Sequence, residues 1–169
     1  KLTTDTGLIG WGECYAASVG PKAMAHVIAD VFGRHMQNEH PENIEKMFRR
    51  VYSSGFTQRP DLTVMGAFSG LEIACWDILG KHRNRPVWAL LGGKMNDRIR
   101  AYTYLYPLPH HDPVAFWTSP EMAAESATDC VQRGYTAVKF DPAGPYTLRG
   151  GHMPAQSDIT LSVAFCKAI

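Results

Sequence analysis

Residues 62–81 limit the fold of this chain most sharply. Asp61 stands before them as an N-cap, and Met65, Phe68, Leu71, Ile73, Trp76, Ile78 and Leu79 spread apolar side chains most of the way round a helix. Such a helix needs neighbours on several sides. Gly66, Ala67, Ser69, Gly70 and Ala74 are small enough to let another element approach closely. The preceding sequence can supply that cover. Residues 1–15 read as a hairpin turning at Asp5-Thr6-Gly7, with residues 8–15 as its second strand. Pro21 opens a helix to about Met36, with Met24, Val27, Ile28, Val31 and Phe32 on one face. Another helix is expected from Pro41 to Ser53, closed by Gly55, with Ile44, Met47, Phe48 and Val51 apolar. Residues 1–95 therefore read as an α+β unit.

The rhythm then changes. Residues 86–93 form a short helical turn ending in a glycine pair, and residues 98–104 read as a strand. Ser119-Pro120-Glu121 opens a helix to Arg133, Gly134 ends it, residues 135–140 form a strand, and Ser157-Asp158 opens a further helix. Strand, helix, strand, helix is the pattern of a parallel sheet or barrel. In a parallel barrel, chemistry gathers at the C-terminal ends of the strands. Here the second strand ends in Lys139-Phe140-Asp141-Pro142, and alternation puts Lys139 and Asp141 on one face. A charged pair there suits catalysis or a strand-end salt bridge equally well. The long loop that follows carries Tyr146, Arg149 and His152. His110 and His111 read as surface residues, since adjacent histidines point different ways and no carboxylate spacing suggests a closed metal site.

A formal net charge of +1, with 20% charged residues, gives no electrostatic reason to expect nucleic acid or an anionic membrane as partner. Cys14, Cys75, Cys130 and Cys166 form no C-x-x-C pair, which fits free thiols in a reducing cytoplasm. No apolar run is expected to reach the roughly 20 residues of a bilayer span. No leader is recognised, and both ends read as cuts.

The combination of motifs resembles the enolase superfamily. Trp11-Gly12-Glu13 follows an Asp-Thr-Gly turn; Ala67-x-Ser69-Gly70-Leu71-Glu72-Ile73-Ala74-Cys75-Trp76-Asp77-Ile78-Leu79-Gly80-Lys81 comes next, then Pro86-Val87-x-x-Leu90-Leu91-Gly92-Gly93. The likeness is to the mandelate racemase and muconate-lactonizing branch, especially its acid-sugar dehydratases. It implies an α+β capping domain at 1–95, lacking its first strand. Residues 96–169 would then be the first two βα units of a truncated (β/α)₇β, TIM-like barrel.

The resemblance also implies chemistry. Such enzymes remove the proton next to a substrate carboxylate, with a divalent cation, usually Mg²⁺, stabilising the enediolate. The metal ligands are expected beyond residue 169. The family's Lys-x-Lys on the second strand matches at Lys139, but Asp141 holds the second position. Lys139 thus reads as an electrostatic helper facing the carboxylate, with the base elsewhere: a later His–Asp pair, Tyr146 or His152. Tyr15 and Ser18 are candidates for contact with sugar hydroxyls, while Glu13, Trp76, Asp77 and Lys81 read as structural. The expected activity is dehydration of a small-molecule sugar acid to a 2-keto-3-deoxy acid. A cycloisomerase or racemase on the same scaffold and a non-catalytic binding module are the alternatives. The intact protein is expected to be a homo-oligomer, and these residues alone inactive.

Overall fold

The computed structural model describes residues 1–16, 19–142 and 154–169. The chain divides into two units, Lys1–Met95 and Asn96–Ile169. In the first, β1 (Leu2–Thr3) pairs antiparallel with β2 (Ile9–Gly10), and α1 (Pro21–His35), α2 (Ile44–Ser54), α3 (Leu62–His82) and the short α4 (Val87–Leu90) follow. Asp61 caps α3 as expected, its Oδ1 accepting from the Thr63 and Val64 N–H groups at 2.9 and 3.0 Å. α2 begins three residues later than the sequence suggests. The Asn43 N–H turns back to the His40 carbonyl (2.9 Å), and Glu39 gathers Asn43 Nδ2 at 2.7 Å, Lys46 Nζ at 2.8 Å and Arg50 at 3.3 Å. Gly55 ends α2 in a right-handed conformation (φ −73°), and the left-handed residue is Phe56 (φ 46°).

α3 is the centre of this unit. Phe68, Leu71, Cys75 and Leu79 pack with Met24 and Val31 of α1 and with Met47 and Val51 of α2. Phe68 is 1% exposed, and burying such a ring is worth roughly 1.5–3 kcal/mol. With its length and apolar composition, α3 is long enough to cross a membrane, which corrects the expectation that no run reaches that length. One face of it, including Ala67, Phe68, Leu71, Cys75 and Leu79, is buried in the core of this unit.

The second hairpin strand is also shorter than expected. After Gly10 the chain leaves the ladder and docks on α3: the Trp11 N–H donates to Asp77 Oδ2 at 2.8 Å. Lys81 Nζ donates to the same Asp77 oxygen (2.7 Å) and to the Ile9 carbonyl (2.9 Å). Glycine makes this approach possible. A Cβ on Gly12 would lie 1.8 Å from the Gly70 carbonyl oxygen, and one on Gly70 would lie 2.2 Å from Cys14 Sγ.

In the second unit β3 (Thr103–Tyr104) pairs parallel with β4 (Val138–Lys139), with α5 (Pro120–Gln132) between them and α6 (Gln156–Ala168) after. This is the expected order. Leu105, Phe116, Ala123, Cys130 and Phe165 make its core. Ser119 caps α5 through the Met122 N–H at 3.3 Å. Both strands are two residues long where six or seven were expected. The Leu105 N–H bonds the Lys139 carbonyl at 2.8 Å, but the Thr103 N–H is 3.4 Å from the Ala137 carbonyl. Farther back the Arg100 side chain, not its backbone, reaches Thr136 Oγ1 at 2.8 Å. All four cysteines are free; Cys75 and Cys130 are buried, Cys14 is half-buried and Cys166 is exposed.

Candidate active site

β4 ends at Lys139, and Asp141 follows two residues beyond it. Val138 and Phe140 pack against the core, while Lys139 and Asp141 are exposed on the other face. Among the described residues, Lys139 has no carboxylate within ion-pair distance. Its Nζ stands 5.6 Å from the centroid of the Tyr104 ring, within cation–π range. Tyr104, its register partner on β3, donates its phenol hydrogen to Asp141 Oδ2 at 2.5 Å. Burial, and then the Asp141 carboxylate, push the Tyr104 phenol up to about 12, so it stays a protonated donor at neutral pH. Tyr106 packs beside it, ring centroids 5.3 Å apart.

Lys139 and Asp141 thus each meet one side chain, Tyr104, that the sequence reading did not single out. One signal was present: Tyr104 ends a strand predicted to lie parallel to the strand carrying them. Tyr15 is 85% exposed in the first unit. Ser18, Tyr146 and His152 lie outside the described residues.

A second polar cluster sits in the same unit. Glu125 of α5 joins His110 Nε2 (3.0 Å, Oε1) and His111 Nε2 (2.9 Å, Oε2). His110 is exposed, as expected, but the His111 side chain is only 3% exposed, stacked at 6.0 Å on Phe116. This corrects its reading as a surface residue. The three side chains have the donor types of a transition-metal site. However, His111 Nδ1 accepts from the Leu108 N–H at 3.1 Å. A neutral His111 must then carry its proton on Nε2 and donate it to Glu125. Metal on Nε2 would move that proton to Nδ1, against another N–H. The cluster is therefore a hydrogen-bonded clasp of the loop after β3 onto α5. The two imidazoles hold the Glu125 carboxyl below its usual range.

A groove of about 820 Å³ lies in the first unit between the hairpin, the C-terminal end of α1 and α3. None of the residues singled out for chemistry lines it.

An α+β unit built on a buried helix, followed by a parallel β-α-β segment with lysine and aspartate at a strand end, defines the class of chain. Residues 1–92 match the mandelate racemase / muconate lactonizing enzyme N-terminal domain, and the chain belongs to that family. It is similar to the mandelate racemase/muconate lactonizing enzyme of Sulfitobacter sp. at 82% identity and a TM-score of 0.90, covering 99% of this chain and 42% of that one. The corresponding enzyme of Jannaschia sp. CCS1 is 78% identical with a TM-score of 0.88, covering 98% of this chain and 43% of that one. A D-gluconate/D-galactonate dehydratase of Picrophilus torridus is 33% identical over 144 residues, 84% of this chain and 34% of that protein. The chain thus spans about a third to two-fifths of the length of these relatives.

Proposed function

We propose that these residues form the front of a sugar-acid dehydratase, a lyase whose substrate is a small polyhydroxy carboxylate. Residues 1–95 serve as its capping domain and 96–169 as the first two βα units of a (β/α)₇β barrel. Family membership and the likeness to a gluconate/galactonate dehydratase support the class of reaction. The observation that carries the reading to residues is the placement of Lys139, unpaired among the described residues, at the C-terminal end of a parallel strand.

In this reading the Lys139 ammonium faces the substrate carboxylate and favours the negative charge that grows on it as the α-proton leaves. Asp141, anchored by Tyr104, accepts hydrogen bonds at the same strand end. Tyr15, Ser18, Tyr146 and His152 remain candidates for contact with sugar hydroxyls. Mg²⁺ does not fit the described residues. It prefers six oxygen ligands, and the clasp offers two imidazoles and one carboxylate with His111 held in the wrong tautomer. Carboxylates in the remainder of the protein are the expected ligands.

The test uses the whole protein. Wild type, supplied with a panel of aldonates, should release a 2-keto-3-deoxy acid, detected as its semicarbazone. Lys139→Ala should lower kcat at least about 100-fold. Unchanged turnover by Lys139→Ala would remove this lysine from the reaction. An epimer formed without loss of water would replace dehydration by racemisation.

A further inference from the structure

Lys139 is the last residue of β4 and Asp141 stands two residues beyond it, both exposed and close enough in the chain for their flexible side chains to pair directly. They do not pair. Tyr104 intervenes between them: its hydroxyl occupies Asp141 Oδ2 at 2.5 Å, and the Lys139 ammonium stands 5.6 Å from its ring centroid. An aromatic face attracts a cation without cancelling its charge, whereas a carboxylate cancels most of it. Tyr104 itself is held by β3, whose register sets it opposite Lys139, and by the neighbouring Tyr106 ring at 5.3 Å.

We infer that Tyr104 is a positioning residue that keeps Asp141 from neutralising Lys139, so that the ammonium stays available for an anionic carboxylate substrate. The inference rests on the proposed function for the identity of that substrate, but its structural half stands apart from it. Removing only the hydroxyl frees Asp141 to swing onto Lys139, and the substrate carboxylate must then compete with an internal one. Removing the acid in the same molecule takes that competitor away. A residue that merely filled space would show neither effect.

The experiment has two arms on the whole protein. In the kinetic arm, Tyr104→Phe should raise KM for the sugar acid about fivefold, the effect of one exposed charge pair, with kcat changed much less. Tyr104→Phe combined with Asp141→Asn should bring KM back towards the wild-type value, whatever happens to kcat. An unchanged KM in Tyr104→Phe, or a double variant no better than the single one, would overturn the inference. In the spectroscopic arm, lysines are reductively methylated with ¹³C, which preserves their charge, and the Lys139 signal is assigned with Lys139→Arg. That signal should carry an upfield ring-current shift that survives Tyr104→Phe and vanishes in Tyr104→Leu. Its absence in the wild type would overturn the contact itself. If wild type turns over no sugar acid while the ring-current pattern holds, the substrate reading fails and the Tyr104 contact stands.

Discussion

The two units each contain a lysine and an aspartate close in sequence, and they use them in opposite ways. In the first unit Asp77 and Lys81, one helical turn apart, bond to each other and to the backbone of the hairpin at Trp11 and Ile9. Every charge there is engaged in holding α3 to the chain that crosses it. In the second unit the side chains of Lys139 and Asp141 both meet Tyr104, and among the described residues neither side chain bonds the backbone of another element. The same two residue types are fasteners in one place and an open pair in the other. Residue type therefore says less about role than the geometry of the partners nearby: a carbonyl and an amide N–H within reach engage both charges of the first pair, while an aromatic face leaves the Lys139 ammonium available.

That contrast breaks first if the units are not separately stabilised. Phe68→Ala removes the most enclosed ring in the first unit and should cost about 3–5 kcal/mol, read by denaturant unfolding. Hydrogen exchange should then rise across α1–α3 and stay constant in α5; a matching rise in α5 would show that the two units share one transition. A smaller effect sharpens the role of the fastener. Asp77→Ala should cost about 1–2 kcal/mol, because the Trp11 N–H and the Lys81 ammonium lose a common acceptor. The counterpart, Asp141→Ala, should leave stability within about 0.5 kcal/mol. Equal losses would erase the distinction.

The smallest effect is pH-dependent. Hydrogen bonds from Lys46 and then Asn43 draw the Glu39 carboxyl down to about 2 from an ordinary 4.5. A lowered acid stabilises the folded state when ionised, so its contribution is full above about pH 4.5 and fades as pH falls towards 2. Acid unfolding of the first unit should therefore steepen in that window, and Glu39→Gln should flatten it. No difference between the two would remove Glu39 as a stabilising anchor.

The helices were legible because their signals are local. Asp61, Ser119, Pro21 and Pro120 act within a turn of where they stand, and α1, α3 and α5 begin where those residues predict. Strand extent was not legible, because a strand ends where its partner's backbone stops answering. Trp11 shows this: its N–H is taken by Asp77, 66 residues away. The burial of His111 depends likewise on Phe116 and the Leu108 amide, which no pattern of adjacent histidines reveals. Lys139 and Asp141 were visible as a strand-end pair, whereas Tyr104 becomes part of the site only through the parallel register that brings it across 37 residues.

The placement of the four thiols gives the protein a chemical clock of its own. Cys166 is exposed and should react first with a thiol reagent, whereas burial pushes the Cys75 thiol up to about 11 and leaves it almost wholly protonated at neutral pH. Cys75 reports on the first unit and Cys130 on the second, each hidden within its own core. Under rising denaturant, the order in which these two become modified would date the opening of each unit separately. Native residues alone would supply the readout, with no label introduced by mutation.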